Sequence, residues 1–144
     1  MILATHLVIG AAVGAQTNNL AMAFGINLAL HYFLDYLPHW DYLEKIVKKD
    51  VPKIAVDFVI GVFLLVSLYF IFSKNLNIQL FLAGALAGVL PDFLQGLYHL
   101  FGLTFLKFHN RFHRFIHYAK NQPITSGLGI QLLLIIICVL ILLY

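Results

Sequence analysis

In the segment HYFLDYLPHWDY, His31, Asp35 and His39 recur every four residues, and Asp41 follows two further on. On an α-helix such positions advance only about 40° each and form one stripe, provided the helix lasts as far as Pro38. A His and an Asp one turn apart can hold one ion from a rigid backbone. Imidazole with carboxylate suits zinc, iron or manganese, and a mixed set without thiolate fits a catalytic site better than a closed structural one. His6, Asp57, Asp92 and the histidines of LKFHNRFHRFIHYAK extend the set beyond what one ion needs, so two or more ions are compatible with it.

The elements that must position these residues are apolar. The chain has 144 residues, 62% of them hydrophobic and 10% charged, against about a quarter charged in a soluble domain. This is the composition of an all-α integral membrane protein, and its length fits a single membrane domain over residues 1–144. A crossing helix needs about 20 apolar residues. Ile54–Phe72 and Gly127–Tyr144 meet that requirement, and 20–37 does so if its last turns lie in protein. The segment 78–90 is shorter and is expected to stop at Pro91, with an interfacial extension to 106. Residues 2–15 are short too, and Gly10-Ala-Ala-Val-Gly14 allows close packing on a neighbour. About five helices are therefore expected, some short or broken. MILATH lacks the basic start of a signal peptide. Cys138, within IIICVLILL, reads as a small apolar filler.

Lys45, Lys48, Lys49 and Lys53 fall in one loop region and Lys107, Arg111, Arg114 and Lys120 in another, whereas the remaining turns hold only Lys74. Positive loops face the cytoplasm, which puts the N-terminus inside and the C-terminus outside a prokaryotic inner membrane. All seven histidines and all six acidic residues then lie at the cytoplasmic end. A charged group within a membrane helix costs about 2.5–3.5 kcal/mol on insertion scales, so several at one depth imply a shared polar pocket. Taken singly, each is better explained as an interfacial or capping residue than as a ligand; Asp57 suits the positive end of its helix dipole.

His6-Leu-Val-Ile-Gly10 also matches Asp57-Phe-Val-Ile-Gly61, and FLDYLPHWD parallels GVLPDFLQG. Together these suggest two repeated helical hairpins ahead of the C-terminal transmembrane helix, with the site at their interface. Segment 106–120 carries Phe108, Phe112, Phe115, Ile116 and Ala119 on one helical stripe, with Lys107, Arg111 and Arg114 opposite. It reads as an amphipathic interfacial helix that binds anionic membrane lipid. A sharper reading has its histidines close the metal pocket while Arg111 or Arg114 grips a phosphate. The patch is too short and too Phe-anchored for nucleic acid.

The elements THLVIGAAVG, LPHWD, LPD and HNRFHRFIH together resemble the small inner-membrane proteins called membrane-bound metal-dependent hydrolases. That family's pattern has an early His, an LPDxD element and later His motifs; here His39 and Leu94 each replace one of its aspartates. His31-x-x-x-Asp35 is also similar to the HxxxD motif of zinc-dependent phospholipases C and nucleases. Set beside the pocket, the resemblance implies a metal-assisted hydrolase. His6, His31, Asp35, Asp57, Asp92 and His113 would be ligands to a divalent transition metal, zinc first, and His39 or Asp41 would serve as base or water-orienting group. A phosphoester such as a lipid head group would meet Arg111 and Arg114. Ser67, Ser73, Ser126 and Cys138 lie away from the cluster, and no Gly-rich phosphate loop is present. The alternative is a non-enzymatic membrane module that binds metal or anionic lipid for structure, transport or assembly.

Overall fold

The computed structural model describes residues 1–43, 46–72, 76–117 and 122–143. Lys45, Lys74, Lys120, Ser73, Ala119 and Tyr144, which enter the sequence reading, lie outside them. Among the described residues the chain is all-helical: α1 Leu3–Ala15, α2 Leu20–Tyr36, α3 Val51–Phe72, α4 Ile78–Phe101, α5 Lys107–Ile116 and α6 Ile124–Ile141, with short 3-10 turns at Lys48–Asp50 and Thr104–Leu106. The count is six and not about five, because the interfacial segment forms a helix of its own, α5.

Local chemistry sets the boundaries. Asn19 and Asn77 cap α2 and α4, accepting from the main-chain N–H of Met22 and of Gln79 and Leu80. Leu37, which precedes Pro38, is extended (φ −69°, ψ 148°) and ends α2. The stripe His31–Asp35–His39 is therefore not one continuous helical face; His39 reaches the cluster from the loop. Pro52 lies in the first turn of α3, where a missing N–H costs little, so that helix begins at Val51 and not at Ile54. Pro91 does not stop α4, which continues to Phe101 and ends at Gly102 in the left-handed region (φ 67°). A buried helix tolerates an internal proline when neighbouring groups satisfy the disturbed carbonyls. The carbonyl that Pro91 deprives of its helical donor is that of Ala87; one residue on, the Gly88 carbonyl accepts from His31 Nδ1–H at 2.7 Å.

With these extensions α3 (counted from Lys48), α4 and α6 are each long and apolar enough to cross a membrane. At 13 residues α1 is about 20 Å long, shorter than the roughly 30 Å hydrocarbon core. It has no need to span, because α2, α3, α4 and α6 pack around it. Ten of its residues are buried, so α1 is the axis of the bundle. Leu7, Val8 and Ala11 meet Leu65, Leu68 and Phe81 on one side. Ile9 and Ala12 meet Leu34, Cys138 and Leu142 on the other, which gives Cys138 the filler role expected of it. The helices of the second expected hairpin, α3 and α4, pack chiefly on α1 and not on each other.

Glycine sets how closely α1 and α4 approach. A Cβ on Gly88 would fall 2.6 Å from the His6 carbonyl oxygen and 3.4 Å from Gly10 Cα, both backbone atoms that cannot swing aside. Gly10 and Gly14 face Gly84 in the same way. This contact brings His6 of α1 next to the turn of α4 that holds His31. Gly88→Ala is expected to destabilise the protein by about 1–3 kcal/mol, read as a lowered midpoint of thermal unfolding in detergent. Gly96→Ala, inside the same helix at a position with nothing within 4 Å, should leave that midpoint unchanged or raise it slightly.

Candidate metal centre

The polar groups of the sequence converge at one end of this bundle. α2 supplies His31 and Asp35, both fully buried, α1 supplies His6, α4 supplies Asp92 at its proline turn, and α5 supplies His113. His31 Nε2 lies 3.0 Å from His113 Nε2 and 3.2 Å from Asp35 Oδ2. His113 Nε2 lies 3.3 Å from both Asp35 Oδ2 and Asp92 Oδ1, and His31 Nε2 is 3.9 Å from Asp92 Oδ1. Each of the four residues offers one ligand atom, and these atoms all fall within 4.8 Å of one another. A tetrahedral ion with bonds of about 2.0–2.2 Å separates its ligands by about 3.3–3.6 Å. The set His31, Asp35, Asp92 and His113 therefore has the donor types and spacing to hold one metal ion.

Hydrogen bonding prepares the donors. His31 Nδ1–H is spent on the Gly88 carbonyl, which leaves the Nε2 lone pair facing the cluster. Asp35 Oδ2, His113 Nδ1 and His6 Nδ1 are buried without a hydrogen-bond partner. Buried carboxylates also need positive charge close by. Burial alone would lower the His113 pKa, but the carboxylates of Asp35 and Asp92, each with an oxygen 3.3 Å from its Nε2, outweigh that and raise it to about 9. A bound divalent cation meets the same demand from the same atoms.

His6 stands beside this set, its Nε2 3.0 Å from Asp35 Oδ1 and 3.9 Å from Asp92 Oδ2, with its ring 4.2 Å from that of His31. It meets the Asp35 oxygen that His31 does not face. Asp57 is not brought to the cluster. Its carboxylate accepts from Leu3 N–H at 2.8 Å, Ala4 N–H at 3.1 Å and Tyr42 O–H at 3.0 Å, so it caps α1. The sequence placed it among the ligands because it shares their depth. Burial and the Asp57 carboxylate together push the Tyr42 hydroxyl pKa upward, keeping it a donor.

His39 is fully buried in the loop after α2. Its Nδ1–H donates to the Leu37 carbonyl at 2.7 Å, Nε2 has no partner, and burial lowers its pKa to about 4. Asp41 Oδ1 accepts from Leu43 N–H, and Oδ2 lies 3.6 Å from His117 Nε2. Arg111 and Arg114 are exposed on α5, as are Phe108, Phe112 and Phe115, while Asn110 and His113 turn inward. His109 meets Tyr32 at 3.3 Å and stays outside the cluster.

Gln131 has a part that motif and spacing do not reveal. This buried residue of α6 accepts from Ile2 N–H and Thr5 O–H and donates to the Trp40 carbonyl, tying the His39 loop to α1 and α6. A lone Gln inside an apolar helix was its one available signal. Family models, characterised proteins and solved structures yield no match to this chain. The likeness to membrane-bound metal-dependent hydrolases thus rests on its motifs.

The separate places of Asp57 and His113 lead to opposite expectations. Asp57→Ala should lower stability by about 0.5–2 kcal/mol through the lost caps, seen in thermal unfolding, while metal measured by plasma mass spectrometry stays at the wild-type level. His113→Ala should reduce that metal content. Metal lost equally in both variants would contradict the assignment.

Proposed function

We propose that this protein is a metal-dependent hydrolase whose active centre opens at the cytoplasmic face of an inner membrane and whose substrate is a phosphoester, a lipid head group above all. The observation that carries the reading is the convergence of His31, Asp35, Asp92 and His113 at ligand spacing on three separate helices. Their nitrogen and oxygen donors suit zinc first, then iron or manganese. These residues would hold an ion whose chemistry is to bring the pKa of a bound water towards neutrality and to polarise a phosphoryl oxygen.

The chain's own residues account for the remaining roles. Asp92 has a side chain about one-fifth exposed, and Asp41 the same, whereas Asp35 is sealed. The centre therefore opens on the Asp92–Asp41 side. Asp41 keeps Oδ2 free of main-chain bonds and is the group to orient a water and take its proton. With its pKa near 4, His39 is neutral at pH 7 and a weak base, better suited to ligation. Exposed Phe105, Phe108 and Phe115 seat α5 among acyl chains, which sets Arg111 and Arg114 at head-group level. A guanidinium there meets phosphate with two parallel N–H donors.

A second reading has support of its own. Four protein donors at tetrahedral spacing can also form a closed structural site, and the ion would then lock α2, α4 and α5 together in a non-enzymatic module. The two readings separate in the purified protein assayed on bis(p-nitrophenyl) phosphate and on phospholipid in mixed micelles. The hydrolase reading expects turnover that falls roughly 100-fold or more in Asp41→Asn, with metal content and unfolding midpoint unchanged. It also expects the double change Arg111→Ala/Arg114→Ala to raise KM for phospholipid more than it lowers kcat. Full metal content without turnover on either substrate would favour the structural module.

A further inference from the structure

One carboxylate in the centre is used from both sides. Asp35 Oδ2 faces His31 and His113. Asp35 Oδ1 faces a different company: the Met1 amino group at 2.9 Å, His6 Nε2 at 3.0 Å and His117 Nε2 at 3.8 Å. On that second side Asp35, His39 and His117 also bring ligand atoms within 4.8 Å of one another. We propose that the centre is dinuclear, with a second divalent transition ion held by Asp35, His39 and His117 and with Asp35 bridging the two ions.

Three observations carry this beyond a chance grouping. His39 is fully buried, yet its Nε2 has no hydrogen-bond partner. A buried imidazole nitrogen left without a partner forfeits the hydration it had in water, and ligation restores that loss. Its other nitrogen is already committed to the Leu37 carbonyl, the arrangement that fixes the tautomer of a metal-bound histidine. The His39 and His117 rings lie 5.0 Å apart at 83°, so the two imidazoles meet edge to face and do not stack.

The register of the elements gives the pairing a cause. His113 and His117 are four residues apart at the end of α5, with rings 5.6 Å apart, so one turn delivers a donor to each half of the centre. On the other wall, α2 delivers His31 and Asp35, and the extended Leu37-Pro38 step carries His39 around to the second half. Asp41 Oδ2, 3.6 Å from His117 Nε2, then stands at the edge of the second half, where a water shared by two ions would be deprotonated. His6 acts as a positioning residue that holds the bridging carboxylate. The Met1 amino group, 3.1 Å from His117 Nε2, is the cation that a second metal would displace.

This inference rests on the metal reading of the first four ligands, and the experiment separates the two. Full-length protein in detergent is stripped with chelator, reloaded with Mn²⁺ and desalted; bound ions are counted by plasma mass spectrometry, and coupling is read by electron paramagnetic resonance. Wild type is expected to hold two ions, with the exchange-coupled spectrum of a pair about 3.5–4 Å apart. His117→Ala, at a partly exposed position, should retain one ion and show an uncoupled six-line spectrum, and His39→Ala serves as the second variant. One ion in wild type, unchanged in His117→Ala and lost in His31→Ala, would overturn the dinuclear centre and leave the first site standing. Two ions in both His117→Ala and His39→Ala would overturn the assignment of these ligands. No ion in any protein would remove both readings.

Discussion

A carboxylate sealed inside an apolar bundle is the constraint on which the rest of this structure depends. Asp35 is buried, and a lone buried anion would cost several kcal/mol after relaxation. The protein meets that demand by gathering nitrogen donors from four directions: His6 from α1, His31 from its own helix, His113 from α5 and His117 just beyond it. The Gly88 carbonyl orients His31, and the glycines between α1 and α4 allow the helices close enough for the His6 ring to lie 4.2 Å from that of His31. Packing and chemistry are coupled through a few small residues.

The same coupling accounts for the uneven construction of the bundle. Its outer helices α3, α4 and α6 are long and apolar and present exposed Phe63, Leu86 and Leu132, side chains suited to lipid. The inner helix α1 is short and wrapped by protein, so it can carry His6 without exposing an imidazole to hydrocarbon. α5 reverses the usual amphipathic order of a globular helix: Phe108 and Phe115 lie outward and Asn110 and His113 inward. That order suits a helix with lipid on one side and a polar centre on the other.

Much of this was legible in the residues. The apolar runs announced a helical membrane protein, and the shared depth of His6, His31, Asp35, Asp57 and Asp92 announced a cluster. Depth is a one-dimensional signal, however, and it could not separate Asp57, which caps α1, from Asp92, which joins the centre. Nor could periodicity show His39 arriving from a loop after α2 ends at Tyr36. The passage of α4 through Pro91 depends on burial and on partners from other helices, which a local rule for proline does not contain. His117 was visible as one of three late histidines, but its place opposite Asp35 Oδ1 required the turn of α5 to be known in space.

The central claim is that Asp35 and its histidines form a metal site. Its most direct test is the transition-metal content of the protein purified without added metal, beside Asp35→Asn, which keeps the shape of the side chain and removes its charge. Near-stoichiometric zinc, iron or manganese in wild type and trace metal in the variant is the result expected here. Trace metal in both, with both proteins folded to the same unfolding midpoint, would contradict it and reduce the cluster to a hydrogen-bonded polar end of the bundle.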